Sequence, residues 1–390
     1  MRAGVPQLPV RAALFVVALI ALAVALHELL PIGYDFYHWY RPVPLAWLSG
    51  ELDDPSSRGF YSPPWVIWLL IPFAALPIRW GMAALTLLSL AITAGVSYAY
   101  GHEMWDGRPR PSTQAGAPAP HVRRTLAIAS SLAVLCPYSL TAVFAGTLDA
   151  WSLLGIYLGY RALRESRPWS LGAALVLAAT RPQDALLTGP ALLLGARGWS
   201  RGHWLRVALL PAATLLLSLA VFGLDWPLRW IEHYQTAPPG GGAGIPQRYL
   251  VTSTYSATNL AGIPLPLVLA MTALLVAVVL RRVWMKGLRP ATLGLAVTAN
   301  AIISPHMLSQ GYIVLLALPW VRLALRRPLP AALLYAVSLP VLFRATEGLW
   351  DRLGLLDVTF PLILMVVLLL ERGDGPKGVE GAEPNVMTDA

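Results

Sequence analysis

Charge is scarce in this sequence. Only 13% of its 390 residues are charged and 56% are hydrophobic, where a soluble domain carries about a quarter charged residues. With a mean hydropathy of +0.60, that excludes a soluble protein with a simple anchor and points to a chain that crosses the membrane repeatedly. Cysteine is nearly missing. Cys136 is alone and lies in an apolar run, so no disulfide can form within the chain. No HExxH, CxxC, GxSxG or Walker pattern occurs. The glycine run Pro238–Gly244 lacks the lysine and Ser/Thr of a phosphate loop, and reads as a lid or hinge. A nucleotide-sugar site of soluble type is also missing, so the energy for any group transfer must arrive in the membrane. No repeat or second soluble domain is evident. The first apolar run has no small-x-small cleavage site before Glu28 and reads as a retained helix.

What the chain has is apolar segments. Runs approaching the about 17–25 residues of a membrane helix centre on 10–30, 63–77, 80–100, 125–140, 147–161, 168–180, 182–196, 206–223, 262–280, 290–303, 308–321, 329–343 and 356–371. The expected fold is all-α: one polytopic transmembrane bundle over residues 1–372 with about 12–13 segments, then a disordered cytoplasmic tail, 373–390. The net charge of +9 sits in short loops, which suits membrane topology and lipid headgroups and leaves no role for nucleic acid. The loops rich in arginine and lysine are assigned to the cytoplasm, and loops 31–62, 224–260, 304–310 and 344–357 to the outside. The unusual polar residues gather on the outer side. One conflict arises: two apolar segments lie between 63 and 101, where the charges require an odd number of crossings, so either one segment is re-entrant or interfacial, or the 101–124 loop lies outside despite its arginines.

The stretch Gly33-Tyr-Asp-Phe-Tyr-His-Trp-Tyr-Arg41 follows the first segment. If helical, it places Asp35, His38 and Arg41 on one face. Asp35 sits where water reaches it and suits a general base that takes the proton of an attacking hydroxyl; it also reads as an interfacial acid that ends a helix. His38 and Arg41 suit a phosphate or a lipid headgroup. The surrounding aromatics suit an interfacial belt or a sugar platform. Asp53-Asp54 resembles a metal pair but lies in a polar turn. Asp149 is either a favourable helix-N-terminal acid or a second acid near a cavity. Arg181 stands before Pro182, which breaks the helix; it suits a lipid-linked phosphate or a local pair with Asp184. Arg248 lies in the outer loop 224–260, and His306 in Ser304-Pro-His306 suits a phosphate, a sugar or a structural role.

Taken in order, Asp35-Phe36, Trp39-Tyr40, Gly50, Asp53-Asp54, Tyr61-Ser-Pro-Pro64, Leu76-Pro77, Gly146-Thr147, Thr180-Arg181-Pro182 and Ile303-Ser-Pro305 resemble glycosyltransferase family 87, of the GT-C superfold. The departures are Pro42 and Pro44, Thr147 in place of an amide, and Arg181 in place of a lysine. The resemblance implies an inverting transfer of a sugar, mannose, from a polyprenyl-phosphate donor to a lipid or glycan hydroxyl, on the outer face of the plasma membrane. It implies Asp35 as base, no cofactor and no obligatory metal. His38, Arg41, Tyr61, Asp149, Arg181, Arg248 and His306 become donor- or substrate-binding candidates. A transporter or flippase of lipid-linked saccharides is the alternative.

Overall fold

The computed structural model describes residues 7–52, 55, 60, 62–106, 120–236, 263–304, 309–339 and 350–370. Among them every regular element is helical. The order is α1 (Gln7–Leu29), a π-helix (Phe36–Tyr40), α2 (Pro42–Leu48), α3 (Val66–Ala74), α4 (Ile78–Asp106), α5 (Pro120–Leu135), α6 (Pro137–Ala145) and α7 (Asp149–Arg164). Then come α8 (Pro168–Ala178), α9 (Pro182–Ala185), α10 (Thr188–Gly195), α11 (Arg201–Phe222), α12 (Trp226–Thr236), α13 (Leu265–Lys286) and α14 (Pro290–Ile303). A 3₁₀ turn (Ser309–Tyr312), α15 (Ile313–Leu315), a second π-helix (Leu316–Trp320), α16 (Val321–Arg326), α17 (Pro328–Ser338) and α18 (Trp350–Leu370) complete the chain.

Proline sets many of the joints. It opens α2, α5, α6, α8, α9, α14 and α17, where the missing N–H costs nothing. Pro137 also breaks the α5–α6 segment, which bends by 51°. Cys136 lies at that bend, fully buried, and its Sγ donates to Ser338 Oγ on α17 at 3.3 Å.

Three helices among the described residues are long and apolar enough to cross a membrane: Ile78–Met104 within α4, α11 and α13. The bent α5–α6 pair makes a fourth if it is one span, and there are five shorter apolar helices among the described residues. α11 and α13 present most of their surface outward, including Leu205, Leu216, Leu267 and Leu274, as lipid-facing helices do. α14 is the opposite case, with every residue from Thr292 to Ala301 buried; a helix apolar all round belongs in the interior. Tyr138, Tyr312 and Phe360 meet there, with ring centroids 4.9–5.8 Å apart.

The crossing conflict has a structural answer. α3 has 9 residues, about 14 Å of helix, half of the roughly 30 Å hydrocarbon core. α4 has 29, about 43 Å, and crosses alone. By length α3 is too short to span and α4 is long enough, and a single crossing between 63 and 106 is what the charges require.

α4 and α7 run side by side in the same direction. Their N-terminal ends meet the 33–40 segment. Their C-terminal ends share a polar cluster in which Glu103 accepts from Tyr157 Oη (2.8 Å) and Arg164 Nη1 (2.9 Å). A second apolar cluster caps the N-terminal ends, built from Phe36, Tyr40, Phe60, Leu70, Met82, Leu148 and Trp226.

Candidate active site

Three chain breaks build the site. At the first, Gly33 leads out of α1, and a Cβ there would lie 2.7 Å from the Ala145 carbonyl and from Met82 Cε. The chain therefore passes directly against the end of α6. At the second, Gly146 closes α6 with φ +73°, a left-handed conformation that glycine adopts without strain. A side chain at Gly146 would also meet Phe36 Cβ and Met82 Sδ at 3.0 Å. At the third, Arg181 precedes Pro182 and is extended (φ −124°, ψ 94°), as pre-proline sterics require. These breaks deliver Asp35, Asp149 and Arg181 to one end of the bundle.

Asp149 is fully buried in the first turn of α7, where the helix dipole favours an acid. Its Oδ2 accepts from the Thr147 hydroxyl and from Arg181 Nη1. Arg181 is 6% exposed, and its Nε lies 3.9 Å from Asp184 Oδ2. With its amide turned toward the guanidinium, Gln183 Oε1 accepts from Arg181 Nη2 (3.0 Å) and Nε (3.1 Å). Asn300 of α14 fastens this break: its Oδ1 accepts from Leu187 N at 2.7 Å and its Nδ2 donates to the Gln183 carbonyl at 2.9 Å.

Asp35 lies between α1 and the π-helix, outside the spanning helices. It is partly exposed, surrounded by protein on most sides and open on one. Burial pushes its carboxyl up to about 7, with Arg181 pulling the other way and Asp149 adding to the rise. Tyr40, 8% exposed, faces the same group of charges; burial raises its phenol strongly, with Asp35 adding and Arg181 opposing.

The three-residue face expected for Asp35, His38 and Arg41 does not form. Arg41 N donates to Phe36 O at 3.0 Å, so the turn is the wider π kind, often found at functional sites. Phe36 and Tyr40 point inward, while Tyr37 and His38 are exposed. His38 packs against Tyr34, with ring centroids 4.3 Å apart and the planes tilted by 46°. Arg41 is half-buried, and its Nε is buried with no hydrogen-bond partner. Tyr61, Arg248 and His306 lie outside the described residues, as do Asp53 and Asp54.

The local Arg181–Asp184 pair is subordinate, since the close partner of Arg181 is Asp149. Sequence reasoning missed Asn300, and it had Tyr40 only among the surrounding aromatics and Asp184 only as a local partner of Arg181. For Asn300 there was a signal, a lone amide inside an apolar run, where polar groups are costly.

The model of glycosyltransferase family 87 matches residues 60–308, more than half of the chain. The chain belongs to glycosyltransferase family 87. A family 87 protein transfers sugars, which removes the transporter alternative, and its fold here is that of an all-α, multi-pass membrane protein. The crystal structure of ArnT from Cupriavidus metallidurans bound to undecaprenyl phosphate is similar over 94% of this chain and 77% of that one, at 15% identity and a TM-score of 0.44. No curated relative matches the chain.

Proposed function

We propose that this family 87 enzyme transfers mannose from a polyprenyl-phosphate donor to a lipid or glycan hydroxyl, at the outer face of the plasma membrane, with inversion. Asp35 takes the hydroxyl proton as the oxygen attacks the sugar carbon. The bond from that carbon to the phosphate oxygen breaks. Polyprenyl phosphate departs with one more negative charge, beside Arg181. The donor and the outer location rest on the family resemblance, and the outer location also on the arginine-rich loops of the opposite side.

The observation that carries the roles is the meeting of a water-reachable carboxyl with a buried guanidinium across two chain breaks. The matched residues begin at 60, so the role of Asp35 rests on this geometry and on the Asp35-Phe36 motif. A base works best when its pKa lies near the working pH, and burial brings Asp35 there. Arg181 offers a planar fork for phosphate oxygens. Asp149 and Thr147 hold Arg181 and do not touch the donor. Arg41, with its free Nε, and His38 are the further donor contacts of this reading, together with Tyr61, Arg248 and His306.

Membrane vesicles given radiolabelled polyprenyl-phosphate mannose test the reading. With expression intact, Asp35→Asn should lower transfer by about a hundred- to ten-thousand-fold, the span of general base contributions. Undiminished transfer would end the role of Asp35.

A further inference from the structure

Three carboxyls face Arg181 among the described residues: Asp35, Asp149 and Asp184. Their situations differ. Asp149 accepts from Thr147 and from Arg181. Asp35 opens toward water. Asp184 is 2% exposed, and neither of its oxygens has a hydrogen-bond partner. The neighbouring Ser152 hydroxyl is spent on the Ala178 carbonyl at 3.0 Å. Thr188 is equally buried, and its hydroxyl also has no partner. Asp184 and Thr188 together line a small, partly open pocket with Val297, Asn300, Ala301 and Val314, about the size of one water molecule.

α9, which carries Asp184, packs against α7, α8, α10 and α14. Of these, α7 brings Asp149 to it, and α8, α10 and α14 contain no charged residue. The charges that face Asp184 are therefore Arg181 and Asp149. The guanidinium is already shared. A phosphate that joins it adds an anion in a low-dielectric place, and the carboxyl with no donors of its own is the one most readily neutralised.

We propose that Asp184 takes up a proton from solvent when a phosphate-bearing donor engages Arg181, so that donor affinity depends on a carboxyl that never touches the donor. The inference rests on the reading of Arg181 as the donor-phosphate site. Asp184 is a positioning residue: it keeps the guanidinium from being over-claimed by acids. The sign follows. At low pH Asp184 is protonated before binding and affinity is at its plateau. Once Asp184 is ionised in the free protein, binding must import a proton, and affinity falls as pH rises, up to about tenfold per unit.

The test uses the full-length Asp35→Asn protein in lipid nanodiscs, which removes turnover and the competing carboxyl. The probe is polyprenyl-phosphate mannose, whose phosphodiester keeps one fixed charge. Its Kd is measured against pH, and the proton count by calorimetry in two buffers of different ionisation enthalpy. The parent should show proton uptake on binding and weakening as pH rises. Adding Asp184→Asn should abolish both while binding persists. Adding Thr188→Val instead should move the fall to higher pH, because the ionised carboxylate loses a potential donor. A pH-independent Kd in the parent, or a fall that survives Asp184→Asn, overturns the inference. A parent that does not bind the probe, or an Arg181→Gln variant that binds as tightly as the parent, overturns the reading of Arg181 itself.

Discussion

Gly146 and Asp149 act as one device. The glycine turns the chain back at the end of α6, and three residues later the acid meets Arg181. Gly146→Ala forces a side chain into a left-handed position and against Phe36 and Met82. It should cost about 1–2 kcal/mol, visible as a lower melting temperature of the purified protein. Asp149→Ala is more severe, since it strips a buried guanidinium of its partner, at about 3–5 kcal/mol; low yield and early melting are expected, with Asp149→Asn milder. For Asp35 the sign of the pH dependence is fixed by which form works. The base acts when ionised, so kcat should climb as pH rises through about 7, and Asp35→Asn should flatten that climb. Asp35 and Arg181 were legible in the sequence because charge is rare in it. The link from Asp149 to Arg181 was not, because it spans 32 residues and depends on how α7 and α8 pair. That Asp149 is both a helix-N-terminal acid and part of the charged cluster shows that the two readings of it were compatible.

Among the elements, the first π-helix and α3 matter most. A regular helical spacing would have sent His38 and Arg41 to the side of Asp35; the extra residue in the turn sends Phe36 and Tyr40 inward instead. No periodicity rule anticipates this, because a five-residue π turn leaves no repeat to read. α3 was legible as apolar but not as short, since Pro72 lies inside it and the run continues without charge to the next helix. Its length leads to a topology prediction. A reporter fused just after α3 should lie on the same side as the 33–41 segment, and one fused after α4 on the opposite side. A reporter after α3 on the side opposite the 33–41 segment would show that α3 crosses.

At the scale of the molecule, the apolar segments marked the positions of the helices well, and the charges marked the ends. What the sequence could not show was the inward packing of α14 and of residues 313–321, which are as apolar as their lipid-facing counterparts. In α14 the amide of Asn300 stitches the Arg181 break to the centre. Asn300→Leu should therefore loosen the donor site from a distance and raise KM for the donor more than it lowers kcat, in the same vesicle assay. In the polar cluster at the far end Arg161 and Arg164 are about half exposed and Glu103 is 20% exposed, and ion pairs open to solvent contribute little, about 0–1 kcal/mol. Glu103→Gln should leave transfer and melting nearly unchanged.

The thiol of Cys136 is sealed between α5, α6 and α17. Maleimide dyes should pass it by in the folded protein and label it fully once detergent and heat have opened the bundle. The native chain thus carries its own unfolding reporter, and single introduced thiols can be read against a silent background without first removing Cys136.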